Sequence, residues 1–385
     1  MKMIHSADWH LGKLINNVFM TEDQAYILKQ LKQTLIREEI EVLMIAGDVY
    51  DRSIPPVEAV TLLNSFLSEV IEELNIKVII SSGNHDSSER LSFGAQLLRK
   101  KGLYIVGKTE LGYETIALQD AQGAHIDFHV IPFMTAFEAR KRFDNPDLKT
   151  NDDAMAFVID QIRTQVKPEH LNVVMAHGFV IGTEAPEESD SERPLNIGGT
   201  DAISFSHFSD FDYVALGHLH NPQKSGRETI RYSGSLLKYS FSENQAEKGV
   251  VKIDFEFGSV PQIEFVPLKP IRDMRVIKGP LGQLISDEIV SEFNHEDYIH
   301  AILTDRGELM DPMNTLRSVY PNILSMEKQS ESSSQSLTET QDLRREKNPV
   351  NLFDLFHTVI EGNALEAVEK TFVQAVVENA MKGDV

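Results

Sequence analysis

The chain has 385 residues, is 41% hydrophobic, carries a formal net charge of −22 and contains no cysteine. Length and composition suit a soluble globular protein of two or three domains. The lack of cysteine excludes disulfides, thiolate metal sites and cysteine nucleophiles, and the acidity argues against a protein that coats nucleic acid, because phosphate contacts need Lys and Arg.

In chain order, residues 2–7 read as a strand ending at Asp8, with no signal-peptide pattern before it, so a cytoplasmic protein is expected. Residues 21–40 are helical, opened by a capping box of Thr21 and Gln24. Residues 42–46 (VLMIA) form an apolar strand, 56–74 a helix with proline near its start, and 77–80 (KVII) another strand. Near-continuous apolar strands separated by amphipathic helices predict a parallel sheet covered on both faces. Hairpins are expected for 115–118 with 125–131 around Ala121-Gln122-Gly123, and for 250–255 with 262–266. Residues 172–176 (NVVMA) and 212–216 (DYVAL) are again short apolar strands. These elements fit a two-sheet α/β sandwich over residues 1–268.

Pro270 opens a smaller α/β module, 269–326, with strands at 274–278 and 298–304 and helices at 282–293 and 312–319. A Ser-, Glu- and Gln-rich stretch, 327–349, reads as a flexible linker. Beyond it, 350–385 regains helical periodicity, with Leu352, Leu355, Phe356 and Val359 on one stripe and Ala364, Val368, Phe372, Val376 and Val377 on another. No run approaches 18 apolar residues, so no bilayer-spanning helix is expected.

Five apolar strands stop at residues able to bind metal. They are Asp8-Trp9-His10 in SADWHLGK, Gly47-Asp48 in MIAGDVYD, Gly83-Asn84-His85-Asp86, Ala176-His177-Gly178 in VVMAHGF, and Gly217-His218-Leu219-His220 in ALGHLHNP. Singly each has a plain structural reading: a turn, a helix cap, a hydrogen-bonded core histidine. In an open α/β sheet, however, the carboxyl ends of the strands face one crevice, where the five can converge. Two carboxylates, one carboxamide and four histidines are too many for one tetrahedral site and suit two metals sharing a bridge, as in sites that attack phosphorus in line. A mixed nitrogen and oxygen shell disfavours Mg²⁺ and Ca²⁺ and suits Mn²⁺, Fe or Zn²⁺. His5, His125, His129, Lys13, Arg52 and Arg90 are read as structural or surface groups.

The set resembles the calcineurin-like metallophosphoesterase family, whose signature D-x-H … G-D … G-N-H-D/E … H … G-H-x-H is matched at every position. The longer words IHSADWHLGK, AGDVYDRSIPP, SGNHDSSERL, DYVALGHLHNPQ and IRYSGSLLKYSFSE resemble the SbcD-type DNA exonuclease subunits, the bacterial counterpart of the nuclease that processes double-strand breaks. The resemblance runs through about residue 268 and more loosely over 270–326, the place of that family's capping domain.

It implies that Asp8, His10 and His220 bind one metal with Asp48 bridging, and that Asn84, His177 and His218 complete the other. His85 would be the general acid and Asp86 would fix its tautomer and orientation. It further implies two Mn²⁺ ions, hydroxide attack on a phosphodiester, 3′→5′ exonuclease activity on DNA ends and endonuclease activity on single strands and hairpins. These belong to DNA repair, recombination and replication. The implied partners are DNA, a coiled-coil ATPase of the SbcC type docking on the C-terminal helices, and a second copy, with the helix at 56–74 a candidate dimer element. One departure stands out: archaeal and eukaryotic relatives carry a histidine where this chain has Asp51. The rival readings are a phosphoesterase acting on small phosphodiesters or phosphoproteins, and a scaffold that kept the fold without the chemistry.

Overall fold

Alternation inside the short apolar runs sets the layers. In Val42–Ala46, Leu43 and Ile45 belong to one core while Val42, Met44 and Ala46 belong to another. Side chains point to opposite faces with period two, so a strand apolar on both faces must be covered twice. The structure, a computed structural model, describes all residues except 121–122, 184–185, 193–201, 256–258, 292–293, 330–348, 362–363, 366 and 383–385.

In the first sheet, Lys2–Ser6, Val42–Ala46, Lys77–Ser81 and Leu103–Val106 run parallel, and Gly249–Asp254 and Gln262–Pro267 extend it antiparallel beyond Lys2–Ser6. In the second, His125–Ile131, Leu171–His177, Tyr213–Gly217 and Arg227–Tyr232 run parallel, with Glu114–Gln119 and Gln223–Ser225 as antiparallel edges. The sheets stack through Met3, Met44, Phe128, Val173, Met175 and Ile253. Helices Thr21–Arg37 and Val57–Ser68 cover the outer face of the first, and Asn151–Arg163 that of the second. This is the expected α/β sandwich, and both expected hairpins pair; residues 121–122 of the first turn lie outside the described residues.

Three local expectations need correction, and the expected helix over 56–74 forms with an added detail. The capping box of Thr21 and Gln24 does not form: Met20 is the N-cap, and the Gln24 side chain is buried. Its amide donates to the His10 carbonyl (2.8 Å) and to Tyr239 Oη (3.1 Å) while its oxygen accepts the Gly12 N–H (3.0 Å). The loop after the first strand has buried backbone groups that need partners, and Gln24 supplies them. Helix Val57–Ser68 takes Pro56 as its N-cap and continues into a π-helical turn, Glu69–Glu73. The helix expected at 282–293 is two short ones, Leu281–Leu284 and Asp287–Ser291, where the Ser286 hydroxyl bonds back to the Gln283 carbonyl. Finally, Ile323–Lys328 is a third parallel strand beside Tyr298–Leu303, which pairs with Met274–Gly279, so Glu327 and Lys328 belong to a sheet edge and not to the linker. Charged residues are what an edge strand tolerates.

The smaller module touches the sandwich through polar and apolar contacts. Arg272 Nη1 and Tyr298 Oη both donate to Asp23 Oδ2 (2.9 Å each), beside a cluster of Met20, Met274 and Tyr298. Residues 330–348 of the expected linker lie outside the described residues. The tail forms helices Pro349–Glu361 and Ala367–Lys382, clasped by Asp354, which accepts the Leu365 N–H (2.7 Å) and pairs with Lys370 (2.6 Å). Leu352, Phe356, Phe372 and Val376 are exposed; the side chains of Leu355, Val359 and Val368 lie outside the described residues. Among the described residues no helix is long and apolar enough to cross a membrane.

Candidate metal centre

The carboxyl ends of five parallel strands converge where the two sheets meet. Lys2–Ser6, Val42–Ala46 and Lys77–Ser81 deliver Asp8 with His10, Asp48, and Asn84 with His85; Leu171–His177 and Tyr213–Gly217 deliver His177, and His218 with His220. The glycines before these ligands are set by close approach. A Cβ on Gly83 would lie 2.2 Å from Asp48 Oδ1, and one on Gly217 would lie 1.8 Å from the Ala46 carbonyl oxygen. Four ligands occupy backbone that side chains rarely adopt: Asp8 (φ 54°), His10 (44°), Asp48 (49°) and His218 (111°). Such conformations cost roughly 1–3 kcal/mol each and cluster at functional sites.

Asp8, His10, Asp48, His177, His218 and His220 are buried, whereas Asn84, His85 and Asp86 are half-buried at the mouth. Ligand atoms of Asp8, His10 and His220 come together in one group, and those of Asp8, Asp48 and His177 in another. Asp48 Oδ2 stands between them, 3.8 Å from His10 Nε2, 3.5 Å from His177 Nε2 and 3.9 Å from His85 Nε2. Its other oxygen accepts the His85 N–H (2.9 Å), and both Asp8 oxygens accept the His218 N–H (3.0 and 3.1 Å).

These donor atoms fit divalent cations. His177 Nδ1 lies 2.9 Å from the Ala46 carbonyl, which can only accept, so Nδ1 carries hydrogen. A neutral His177 therefore turns a bare Nε2 toward Asn84 Oδ1 (2.9 Å) and Asp48 Oδ2, with three acceptors around one point. His10 and His220 likewise face each other Nε2 to Nε2 at 3.0 Å. Converging acceptors are what a cation balances. Without one, protons fill the role. Burial works against a charge on His177, but the Asp48 carboxylate overrides it and pushes His177 up to about 9. Burial, with Asp48 adding to it, raises Asp8 well above the usual carboxylate range. Burial and the neighbouring His177 press His218 down to about 3, and burial lowers His10 and His220.

Asp86 does not take the part expected of it. Its carboxylate accepts three backbone N–H groups, from Gly83 (2.9 Å), Tyr50 (3.0 Å) and Val49 (3.2 Å), and so ties the loops carrying Asn84 and Asp48 together. Burial and the nearby Asp48 push Asp86 up to about 6 despite those bonds. His85 is oriented by Asp51, whose main-chain carbonyl lies 2.7 Å from His85 Nδ1. A backbone carbonyl can set a histidine tautomer as a carboxylate can, and here the Asp86 carboxylate is taken up by backbone N–H groups.

The residues set aside by sequence stand apart. His5 is buried between Tyr213 Oη (3.0 Å) and the Leu216 carbonyl (3.1 Å). His129 bonds Thr115 and Asn172, His125 stacks on His170, and Arg52 and Arg90 are exposed. Lys13 is the exception, pairing with Asp51 (2.8 Å), whose carboxylate lies 3.7 Å from His10 Nδ1. Sequence reasoning also missed Ser191, Glu192, Glu243 and Lys248 around His220. The only local signal was IRYSGSLLKYSFSE, which contains Glu243; Ser191 and Glu192 close an acidic run that reads as surface.

Residues 1–222 match the family described as calcineurin-like phosphoesterase, and residues 270–359 match a family described as type 5 capsule protein repressor C-terminal domain. The D subunit of the nuclease SbcCD from Staphylococcus epidermidis is 39% identical over 326 residues, covering 85% of each chain. Among solved structures, a dimetal phosphatase from Danio rerio has a TM-score of 0.42 at 11% identity, covering 70% of this chain and 98% of its own. A glutamine-dependent NAD+ synthetase from Acinetobacter baumannii has a TM-score of 0.31 at 8% identity, covering 94% and 72%.

Proposed function

We propose, for a chain that belongs to the calcineurin-like phosphoesterases and within them to the SbcD-type nuclease subunits, that this centre cleaves the phosphodiester backbone of DNA with two Mn²⁺ ions. The observation that carries the reading is the convergence of seven ligand-type side chains from five strand ends, with His85 at the mouth. Asp8, His10 and His220 would hold one ion and Asn84, His177 and His218 the other, with Asp48 Oδ2 between them; Asn84 and His218 join through their contacts with His177. When bound, such ions polarise the phosphate and activate water for in-line attack.

The chain's own residues do the rest. Asp8 and Asp48 offset part of the ions' charge, leaving a net positive site for a phosphodiester anion. His85 Nδ1–H is committed to the Asp51 carbonyl, so Nε2 is the nitrogen facing the mouth; with both nitrogens protonated, the imidazolium would give its Nε2 proton to the leaving oxygen and return to the neutral Nδ1–H form. Asp86 keeps the His85 loop in place through the backbone of Gly83, Val49 and Tyr50.

The Staphylococcus relative is named as one subunit of the nuclease SbcCD, which supports a two-subunit assembly. On that basis 1–268 is the nuclease domain, 269–326 a capping domain that contacts DNA, and 350–385 the docking segment for an SbcC-type coiled-coil ATPase. We assign it 3′→5′ exonuclease activity on duplex ends and endonuclease activity on hairpins and single strands, as a homodimer in the cytoplasm, serving DNA repair, recombination and replication.

The test is cleavage of an end-labelled DNA duplex with Mn²⁺, against chelator and against His85→Ala. Mn²⁺-dependent, end-initiated degradation is expected, falling about 10²–10⁴-fold in His85→Ala while Mn²⁺ binding persists. Hydrolysis of bis-p-nitrophenyl phosphate with no DNA cleavage, even with the ATPase partner, would assign the centre to small phosphodiesters.

A further inference from the structure

His220 is enclosed by a buried ionic network that the proposed reaction does not itself use. Ser191 Oγ lies 2.6 Å from His220 Nδ1 and 2.5 Å from Glu243 Oε1. Glu243 Oε2 pairs with Lys248 Nζ at 2.5 Å, and Lys248 also donates to the His220 carbonyl (2.7 Å) and to Ser235 Oγ (3.1 Å). Glu192 Oε1 accepts the His220 backbone N–H at 2.7 Å. Glu243 is 1% exposed and Lys248 4%. A buried ion pair contributes little net stability over a well-packed apolar pair, because desolvating two charges offsets their attraction. Its placement on both the ring and the carbonyl of one ligand points to another task.

The proton count decides which tautomer His220 adopts. Lys248 Nζ donates to the His220 carbonyl and to Ser235 Oγ and forms an ion pair with Glu243 Oε2, so it offers no acceptor to this network. Ser235 gives its own proton to the Leu237 carbonyl and accepts from Lys248. Glu243, paired with that ammonium, accepts only. Ser189 Oγ, 2.7 Å from Ser191 Oγ, gives its own proton to Glu243 Oε1 (3.0 Å); were the single Ser191 hydroxyl proton given to His220, an oxygen lone pair would still face the Glu243 carboxylate at 2.5 Å. Ser191 therefore donates to Glu243 and accepts Nδ1–H from His220. Nε2 is left as a bare lone pair directed at the group formed with Asp8 and His10.

We propose that Glu243, fixed by Lys248 and acting through Ser191, is a positioning residue that locks His220 in the Nδ1–H tautomer and aims its Nε2 at the ion held with Asp8 and His10. This rests on the metal reading above. Outer partners of this kind change metal affinity by about 10–100-fold when removed. Ser191→Ala cuts the relay without leaving a buried charge unpaired, and Ser191→Thr restores the hydroxyl.

The experiment is calorimetric titration of the chelator-stripped full-length chain with Mn²⁺, together with thermal melts in chelator. Wild type should bind two ions. Ser191→Ala should bind one of them about 10–100-fold more weakly and the other unchanged, while the stripped protein still melts in one cooperative transition. Ser191→Thr should recover the lost affinity, which a merely structural defect would not predict. Equal binding of both ions by wild type and Ser191→Ala overturns the relay while leaving the metal centre standing. No Mn²⁺ binding by wild type overturns both.

Discussion

At the scale of single residues the site is defined by where each imidazole's second nitrogen is committed. His177 Nδ1 is tied to Ala46, His85 Nδ1 to Asp51 and His220 Nδ1 to Ser191, so in each case Nε2 faces the centre. The raised value for His177 gives a signed pH dependence. In the ion-free protein its folded pKa of about 9 exceeds the ordinary 6.5, so the stability from its pairing with Asp48 is complete below about pH 6.5 and is lost as pH rises through about 9. Melts in excess chelator should show the melting temperature falling across that window. His177→Asn should flatten the profile, and so should saturating Mn²⁺, which takes the place of the proton. A wild-type profile that stays level across the window would contradict this account of the Asp48–His177 pair.

At the scale of elements, strand ends have to approach closely enough for two sheets to share one centre. Gly217→Ala places a Cβ 1.8 Å from the Ala46 carbonyl and forces apart the strands that carry Asp48 and His218. A loss of about 1–3 kcal/mol in urea unfolding is expected, with weakened Mn²⁺ binding. Gly282→Ala is the control: it lies in a short helix with nothing within 4 Å of the new methyl, and should be neutral or stabilising by about 0.5–1 kcal/mol. Between the modules, Arg272→Ala leaves the buried Asp23 with Tyr298 as its remaining side-chain donor. That should cost about 1.5–3 kcal/mol, read by the same unfolding curves.

At the scale of the whole molecule, a net charge of −22 has to be reconciled with the polyanionic substrate proposed above. The bound ions and a basic groove on the ATPase would then be the main sources of DNA affinity. The isolated chain should bind duplex DNA weakly at physiological salt, and tight binding in a filter or anisotropy assay would contradict that division of labour. Leu352, Phe356, Phe372 and Val376 are exposed on the tail helices, the segment proposed to dock on the ATPase. A chain ending at Gln329 is expected to keep Mn²⁺-dependent nuclease activity and to lose co-purification with the ATPase.

The two-sheet sandwich and the meeting of strand-end Asp, Asn and His residues were legible in the sequence, because apolar runs, strand-end glycines and D-x-H or H-x-H spacing are local patterns. Tertiary structure decided everything that depends on residues distant in the chain. His5 and His10 sit on the same segment, yet one is buried against Tyr213 and the other meets His220 across 210 positions. Gln24 serves a loop and not its own helix, Asp51 orients His85 where Asp86 was expected, and Ser191, Glu243 and Lys248 gather on one imidazole. Periodicity reports which face of an element is buried. It carries no record of which polar group will complete another's hydrogen bonds, because that is settled only when the sheets pack and every buried donor must find an acceptor.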